Sequence, residues 1–255
     1  MKAFSIYRCI KQISLLCLIL GLGACSSRKP QKTITQVIHQ VPSQGAVNES
    51  SRGNQRNQNH KETVISAYPS VSEIGLSILR KGGNAVDAAI AMQFSLAVVS
   101  PSSGNIGGGG FMIYRSAKGQ VNALDFREVA PLEAFPHMYL DQKGNPIEDL
   151  SLHGQLASGI PGSVDGMVKA HTTYGSLTWP VLLQPAIELA RNGYLLTENQ
   201  AQELNKNREE LLDQNPEGIV LTSKAQWQVN DKVIQPDLAR TLELIRDRGD
   251  RKSVV

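Results

Sequence analysis

Among the residues of this 255-residue chain, Arg127 has the type and setting best suited to chemistry. It lies in Asp125-Phe126-Arg127-Glu128-Val129-Ala130-Pro131, just after a run that alternates like a strand, so it stands where a strand leaves a sheet. A guanidinium presents a planar fork of N–H donors that can grip a carboxylate through two parallel, charge-assisted bonds. The same arginine, next to Glu128 and ahead of Pro131, also fits a plain structural salt bridge. Residue type and position alone favour that second reading.

The other candidates are weaker. His39, His60, His137, His153 and His171 lie far apart, and none pairs with another or with Cys at a metal-ligand spacing, so no metal site is expected. Gly107-Gly108-Gly109-Gly110 has the composition of a phosphate cradle, but no Gly-Lys-Ser/Thr follows and the next element reads as a strand. Close backbone packing explains it better. Gly162-Ser163-Val164-Asp165-Gly166 differs from a serine-hydrolase elbow because Ser163 directly follows the first glycine, and it is read as the N-cap of a helix. Thr172-Thr173, the only adjacent threonine pair, falls inside that helix.

The elements that would position Arg127 follow from pattern and punctuation. A helix from about Ser72 closes at Gly82-Gly83, and Asn84 caps a second whose Asp87 sits in its first turn. Ala85 to Val99 is almost wholly apolar and reads as a core helix, too short at 15 residues to span a membrane, which takes roughly 20. Phe111-Met112-Ile113-Tyr114 reads as a buried strand, Gly119-Gln120 as a turn, and Val121 to Phe126 as the second arm of a hairpin. Turn-rich chain covers 134–150. Helices are then predicted over 163–174, 179–192, 198–213 and 236–248, with a weak strand pattern around Trp227.

Taken together, Gly82 to Ala91, Gly104 to Phe111 and Asp125 to Pro131 resemble, in order and spacing, the gamma-glutamyltransferase family, also called glutathione hydrolases. The likeness starts near Val64, continues through Gly159 to Gly166 and Pro185 to Ala190, runs to Gln235 through Leu242, and fades after about Gly249. It implies an α+β fold, the αββα sandwich of N-terminal nucleophile hydrolases, here incomplete. It implies a proenzyme that cuts itself into large and small subunits and transfers the gamma-glutamyl group of glutathione to water, an amino acid or a peptide. The nucleophile is the new N-terminal Thr of the small subunit, its own amine acts as base, and no cofactor is needed. On this resemblance Arg127 matches the arginine that holds the alpha-carboxylate of the gamma-glutamyl group.

Residues 63–255 would then be part of the large subunit. The sequence stops before the family's cleavage site and nucleophile, and Asp250 to Val255 departs from the family pattern, as a frameshift, premature stop or incomplete gene would produce. The chain alone is therefore expected to be inactive, with glutathione or another gamma-glutamyl compound and the small subunit as its partners. The alternatives are an inactive lipoprotein that binds gamma-glutamyl compounds and a non-functional fragment.

The start of the chain reads as targeting. Residues 1–24 combine Lys2, Arg8 and Lys11 with an apolar stretch of signal-peptide length. Leu22-Gly23-Ala24-Cys25 looks like a bacterial lipobox, with Cys25 lipidated and first in the mature protein. Cys9 and Cys17 lie within the signal, so no thiol remains for a disulfide. Residues 25–62 are polar and read as a disordered tether. Its basic residues account for much of the net charge of +3, so no nucleic-acid partner is inferred. The expected place is the bacterial cell envelope, exported and lipid-anchored to a membrane, facing the periplasm.

Overall fold

The computed structural model describes residues 38–40 and 62–249. The expected signal segment, Cys25 and most of the expected tether lie outside the described residues. One part of the tether does not: Ile38–Gln40 forms a short strand, β1, on the edge of a sheet. Those residues correct the expectation of an unordered linker. Their neighbourhood, Thr33 to Val41, carries β-branched residues at Thr33, Ile34, Thr35, Val37, Ile38 and Val41, the composition that pairs most readily as strand.

Helix α1 (Pro69–Arg80) ends on Lys81 with Gly82 at φ 86°, and the Gly83 and Gly82 amides donate back to the Ile78 and Leu79 carbonyls. These are the two closing bonds of a Schellman turn. Helix α2 (Ala85–Val99) starts in a full capping box, in which Asn84 Oδ1 accepts from the Val86 and Asp87 amides while Asp87 Oδ2 accepts from the Asn84 amide at 2.9 Å. Apolar on all sides, α2 is buried against α1, against α4 (Ser163–Tyr174) and against α5 (Trp179–Asn192), and α5 packs on α8 (Pro236–Arg248). Its largest enclosed side chains, Phe94 and Ile90, are 1% and 0% exposed.

Asp87 does more than cap. Fully buried, its carboxylate also accepts from the Ser176 amide and hydroxyl, the latter at 2.5 Å, and from the Leu177 amide at 3.3 Å, while Asn84 Nδ2 donates to the Tyr174 carbonyl. The start of the core helix is thereby tied to the connection between α4 and α5.

The sheet that carries Arg127 has the order β1-β3-β2, all antiparallel, with β2 at Phe111–Arg115 and β3 at Val121–Asp125. Among the described residues, helices cover one face only. Tyr114 stacks on Tyr174 of α4 at 4.2 Å between centroids, and Asn122 Nδ2 donates to the Tyr174 hydroxyl. Leu124 and Phe126 are buried on that side. The other face is open: Phe111 and Ile113 are 66% and 78% exposed. The apolar run 111–114 was read as a buried strand, and the structure corrects this, because only Met112 and Tyr114 reach the helices.

Three further expectations shift. Helix 198–213 is two helices, α6 (Glu198–Lys206) and α7 (Arg208–Gln214), parted at Asn207, where Arg208 turns to donate to the Lys224 and Thr222 carbonyls. A short helix α3 (Glu148–Leu152) lies in the turn-rich connection. Around Trp227 only Lys232–Val233, β5, is strand, paired with β4 (Tyr194–Leu195). Trp227 itself is held in a loop by Asn205 Oδ1 on its amide and the Leu221 carbonyl on its indole N–H. Residues 38–40 and 62–249 all belong to one compact unit.

Candidate active site

Arg127 follows the last residue of β3 by two positions, and the period-two alternation of a strand puts Asp125 and Arg127 on the same face. That face is the open one. Asp125 Oδ1 accepts from the Arg127 amide at 3.0 Å and from Nε at 3.3 Å, and Oδ2 accepts from Nη2 at 3.0 Å. Phe111 is the residue directly opposite Asp125 on β2, and the Arg127 guanidinium lies 4.9 Å from the centre of its ring. The hydrogen bond and charge of Asp125 raise the Arg127 pKa, outweighing the small opposing effect of desolvation, with Glu128 adding in the same sense.

The sequence left open whether Arg127 makes a salt bridge. It does, but with Asp125 and not with neighbouring Glu128. With the two side chains 62% and 41% exposed, the pair is worth little as a stabiliser, since water screens exposed ion pairs of this kind. Its consequence is geometric. Asp125 takes the side edge of the guanidinium, Nε and Nη2, and holds the group near the Phe111 ring, so that the end edge is not used by this pair. That end edge is a second place for a carboxylate to bind with two bonds.

Three stretches of chain fix the backbone beneath the pair. A Cβ on Gly109 would stand 2.6 Å from the Phe126 carbonyl oxygen and 2.7 Å from the Arg127 Cα, and one on Gly162 would stand 2.1 Å from the Phe126 oxygen. No real side chain fits either position. The Gly162 and Ser163 amides donate to the Gly108 carbonyl at 2.9 and 3.0 Å, and Val129 and Ile160 exchange main-chain bonds. The glycine run is thus close packing around 126–129, as its sequence context implied. Because Gly108 already satisfies the first amides of α4, Ser163 is the first helical residue and not the N-cap; Gly162 holds that place without a side-chain bond.

The remaining candidates are not brought to this site. Thr172 and Thr173 donate to the Val168 and Lys169 carbonyls within α4. His171 contacts the Leu177 carbonyl at 2.8 Å, and His153 pairs with Asp149. Among the described residues no three His, Cys, Asp or Glu side chains cluster closely enough to hold a metal ion. A cleft of about 790 Å³ lies elsewhere, between residues 62–68 and helices α1 and α2, and includes no group of the Arg127 cluster. Asp125 and Phe111 are the functional neighbours that sequence reasoning missed, although the i, i+2 spacing of Asp125 and Arg127 was a readable signal.

The class defined by this arrangement is an α+β layer with one helix-covered sheet face and one open face bearing an arginine fork. The family model described as Gamma-glutamyltranspeptidase matches residues 71–253, and the chain belongs to that family. The match starts a little later than Val64 and runs past Gly249, where the sequence pattern was expected to fade. The chain is 44% identical over 188 residues to a glutathione hydrolase proenzyme of Pseudomonas sp. (strain A14), covering 73% of this chain and 33% of that protein. It is 41% identical to the Escherichia coli (strain K12) glutathione hydrolase proenzyme over 188 residues, 73% of this chain and 32% of the relative. Among solved structures, the Helicobacter pylori gamma-glutamyltranspeptidase superposes with a TM-score of 0.70 at 44% identity, covering 74% of this chain and 54% of that one. The Pseudomonas nitroreducens enzyme complexed with L-DON gives 0.66 at 40% identity, covering 74% and 56%. The chain spans about a third of the length of the curated relatives it matches.

Proposed function

We propose that this chain supplies the carboxylate-gripping part of a gamma-glutamyltransferase and glutathione hydrolase, and that Arg127 binds the alpha-carboxylate of the gamma-glutamyl group. The observation that carries the reading is the held fork: a permanently charged, largely exposed guanidinium, held by Asp125 through Nε and Nη2 beside Phe111 on the open sheet face. Family membership supplies the substrate class. The transfer step needs the N-terminal Thr nucleophile of the small subunit, which attacks the gamma-glutamyl amide carbonyl with its own amine taking the proton. What Arg127 adds is orientation, fixing the glutamyl group so that its side-chain amide meets the nucleophile.

The test is made on the chain assembled with the C-terminal portion of a family member. Arg127→Ala should lower the specificity constant for a gamma-glutamyl donor by at least about a hundredfold, and Arg127→Lys should also be poor because it loses the fork. A rate within twofold of the parent for Arg127→Ala contradicts the assignment. The same reading places the protein in the bacterial cell envelope, anchored through lipid on Cys25, with the membrane as a second partner; the support is the sequence 22–25 after a charged and apolar segment.

A further inference from the structure

Strand β1 is antiparallel to β3, with Ile38 opposite Leu124, His39 opposite Ala123 and Gln40 opposite Asn122. Which of these pairs carries hydrogen bonds follows from the opposite edge of β3. Gly110 and Phe126 exchange both main-chain bonds, at 3.3 and 3.0 Å, and at the hairpin end the Ser116 amide donates to the Gln120 carbonyl at 2.8 Å. Bonded and non-bonded pairs alternate along an antiparallel ladder. Met112–Leu124 and Tyr114–Asn122 are therefore the bonded pairs between β2 and β3, given their register. A strand residue sends its N–H and C=O to the same side, so Leu124 and Asn122 face β2, and Ala123 between them faces outward. His39 is its partner, and the Ile38 and Gln40 pairs are non-bonded.

One two-bond ring within three residues thus covers the outer edge of β3 at Ala123, its middle residue. Without it that edge would present unpaired groups beside the open face of Phe111 and Ile113, the combination that recruits another strand. In the sequence, Pro42 follows β1 by two residues, and a proline has no N–H to donate to a further strand.

We propose that Ile38–Gln40 is a guard strand, which occupies the outer edge of β3 through the His39–Ala123 pair and keeps it from pairing with the same edge of a second copy of this chain. The inference rests on backbone register and is independent of the substrate assigned to Arg127.

The experiment is residue-resolved amide exchange on the full chain, the His39→Pro variant and the His39→Ala variant, with sedimentation of each over a range of concentrations. Proline removes the donor at position 39, whereas alanine keeps the backbone pair. The proposal predicts that the Ala123 amide is protected in the parent and in His39→Ala. In His39→Pro it should exchange at least about tenfold faster while the Leu124 amide, bonded to β2, stays protected, and the variant should self-associate with rising concentration. Retained Leu124 protection shows that the fold survives the substitution. An Ala123 amide unprotected in the parent, equal protection in His39→Pro and parent, or a His39→Pro chain that loses Ala123 protection yet stays monomeric, each overturns it.

Discussion

Replacing Asp87 by Asn changes one atom, yet it should measurably destabilise the described structure. Oδ2 of Asp87 faces only donors: the amides of Asn84, Ser176 and Leu177 and the Ser176 hydroxyl. An amide NH2 in that place would meet them donor to donor, and turning the group over would put the NH2 against the Ser176 amide instead. Turned over, the group keeps an oxygen in the Oδ2 place and sets its NH2 against the Ser176 amide alone, so one buried donor contact is lost and the remaining bonds lose their charge assistance, an expected loss of about 1–3 kcal/mol. Urea unfolding followed by fluorescence of Trp179 and Trp227, the chain's two tryptophans, reads this directly. Trp179 packs edge-on to Phe94 and beside His171, next to the Asp87 hub. A loss below about 1 kcal/mol, with an unchanged denaturant slope, would show that the hub is not what joins α2 to the α4–α5 connection.

The same group sets part of the acid limit. Burial on its own would raise the Asp87 pKa, but the Ser176 hydroxyl and the Asn84, Ser176 and Leu177 amides outweigh it and hold the carboxyl below its ordinary value. It therefore contributes stability above the unfolded value of about 3.9, which is lost as pH falls through the lower folded value, and Asp87→Asn should flatten that limb of a stability–pH curve. Gly162→Ala should distort the backbone under Arg127, since its Cβ would stand 2.1 Å from the Phe126 oxygen; a variant as stable as the parent would contradict the packing described. Phe111→Ser with Ile113→Ser should reduce binding of a hydrophobic dye, because these side chains form the exposed apolar face of β2. Mass spectrometry of the mature protein should find lipid on an N-terminal Cys25, and an unmodified thiol there would refute the anchor.

Much of the helical framework was legible because its ends are written in residues that act locally. Asn84 with Asp87, Gly82 after Arg80, Gly193 after Asn192 and Pro236 at the start of α8 fix their boundaries by capping and backbone geometry alone. What failed were features decided at a distance. The break at Asn207 depends on carbonyls of residues 222 and 224, and the capping of α4 depends on Gly108, so neither shows in the local pattern. The openness of β2 was hidden because an apolar run signals burial without saying on how many faces. Arg127 was legible as a candidate, but its partner was not: adjacency pointed to Glu128, while strand geometry selects Asp125. β1 was missed because the polar stretches on either side of 33–41 decided how the whole segment was read, although 33–41 itself is rich in β-branched residues.

The central claim is that Arg127 recognises a carboxylate, and it is tested most directly by changing both partners of that contact. In the chain assembled with the family's C-terminal portion, the donors are a gamma-glutamyl anilide and its analogue lacking the alpha-carboxylate, each assayed with the parent and with Arg127→Ala. The account predicts that the parent prefers the carboxylated donor by at least about a hundredfold, and that Arg127→Ala loses nearly all of this preference while treating the analogue as the parent does. A preference that survives in Arg127→Ala, or an equal loss on both donors, would contradict it.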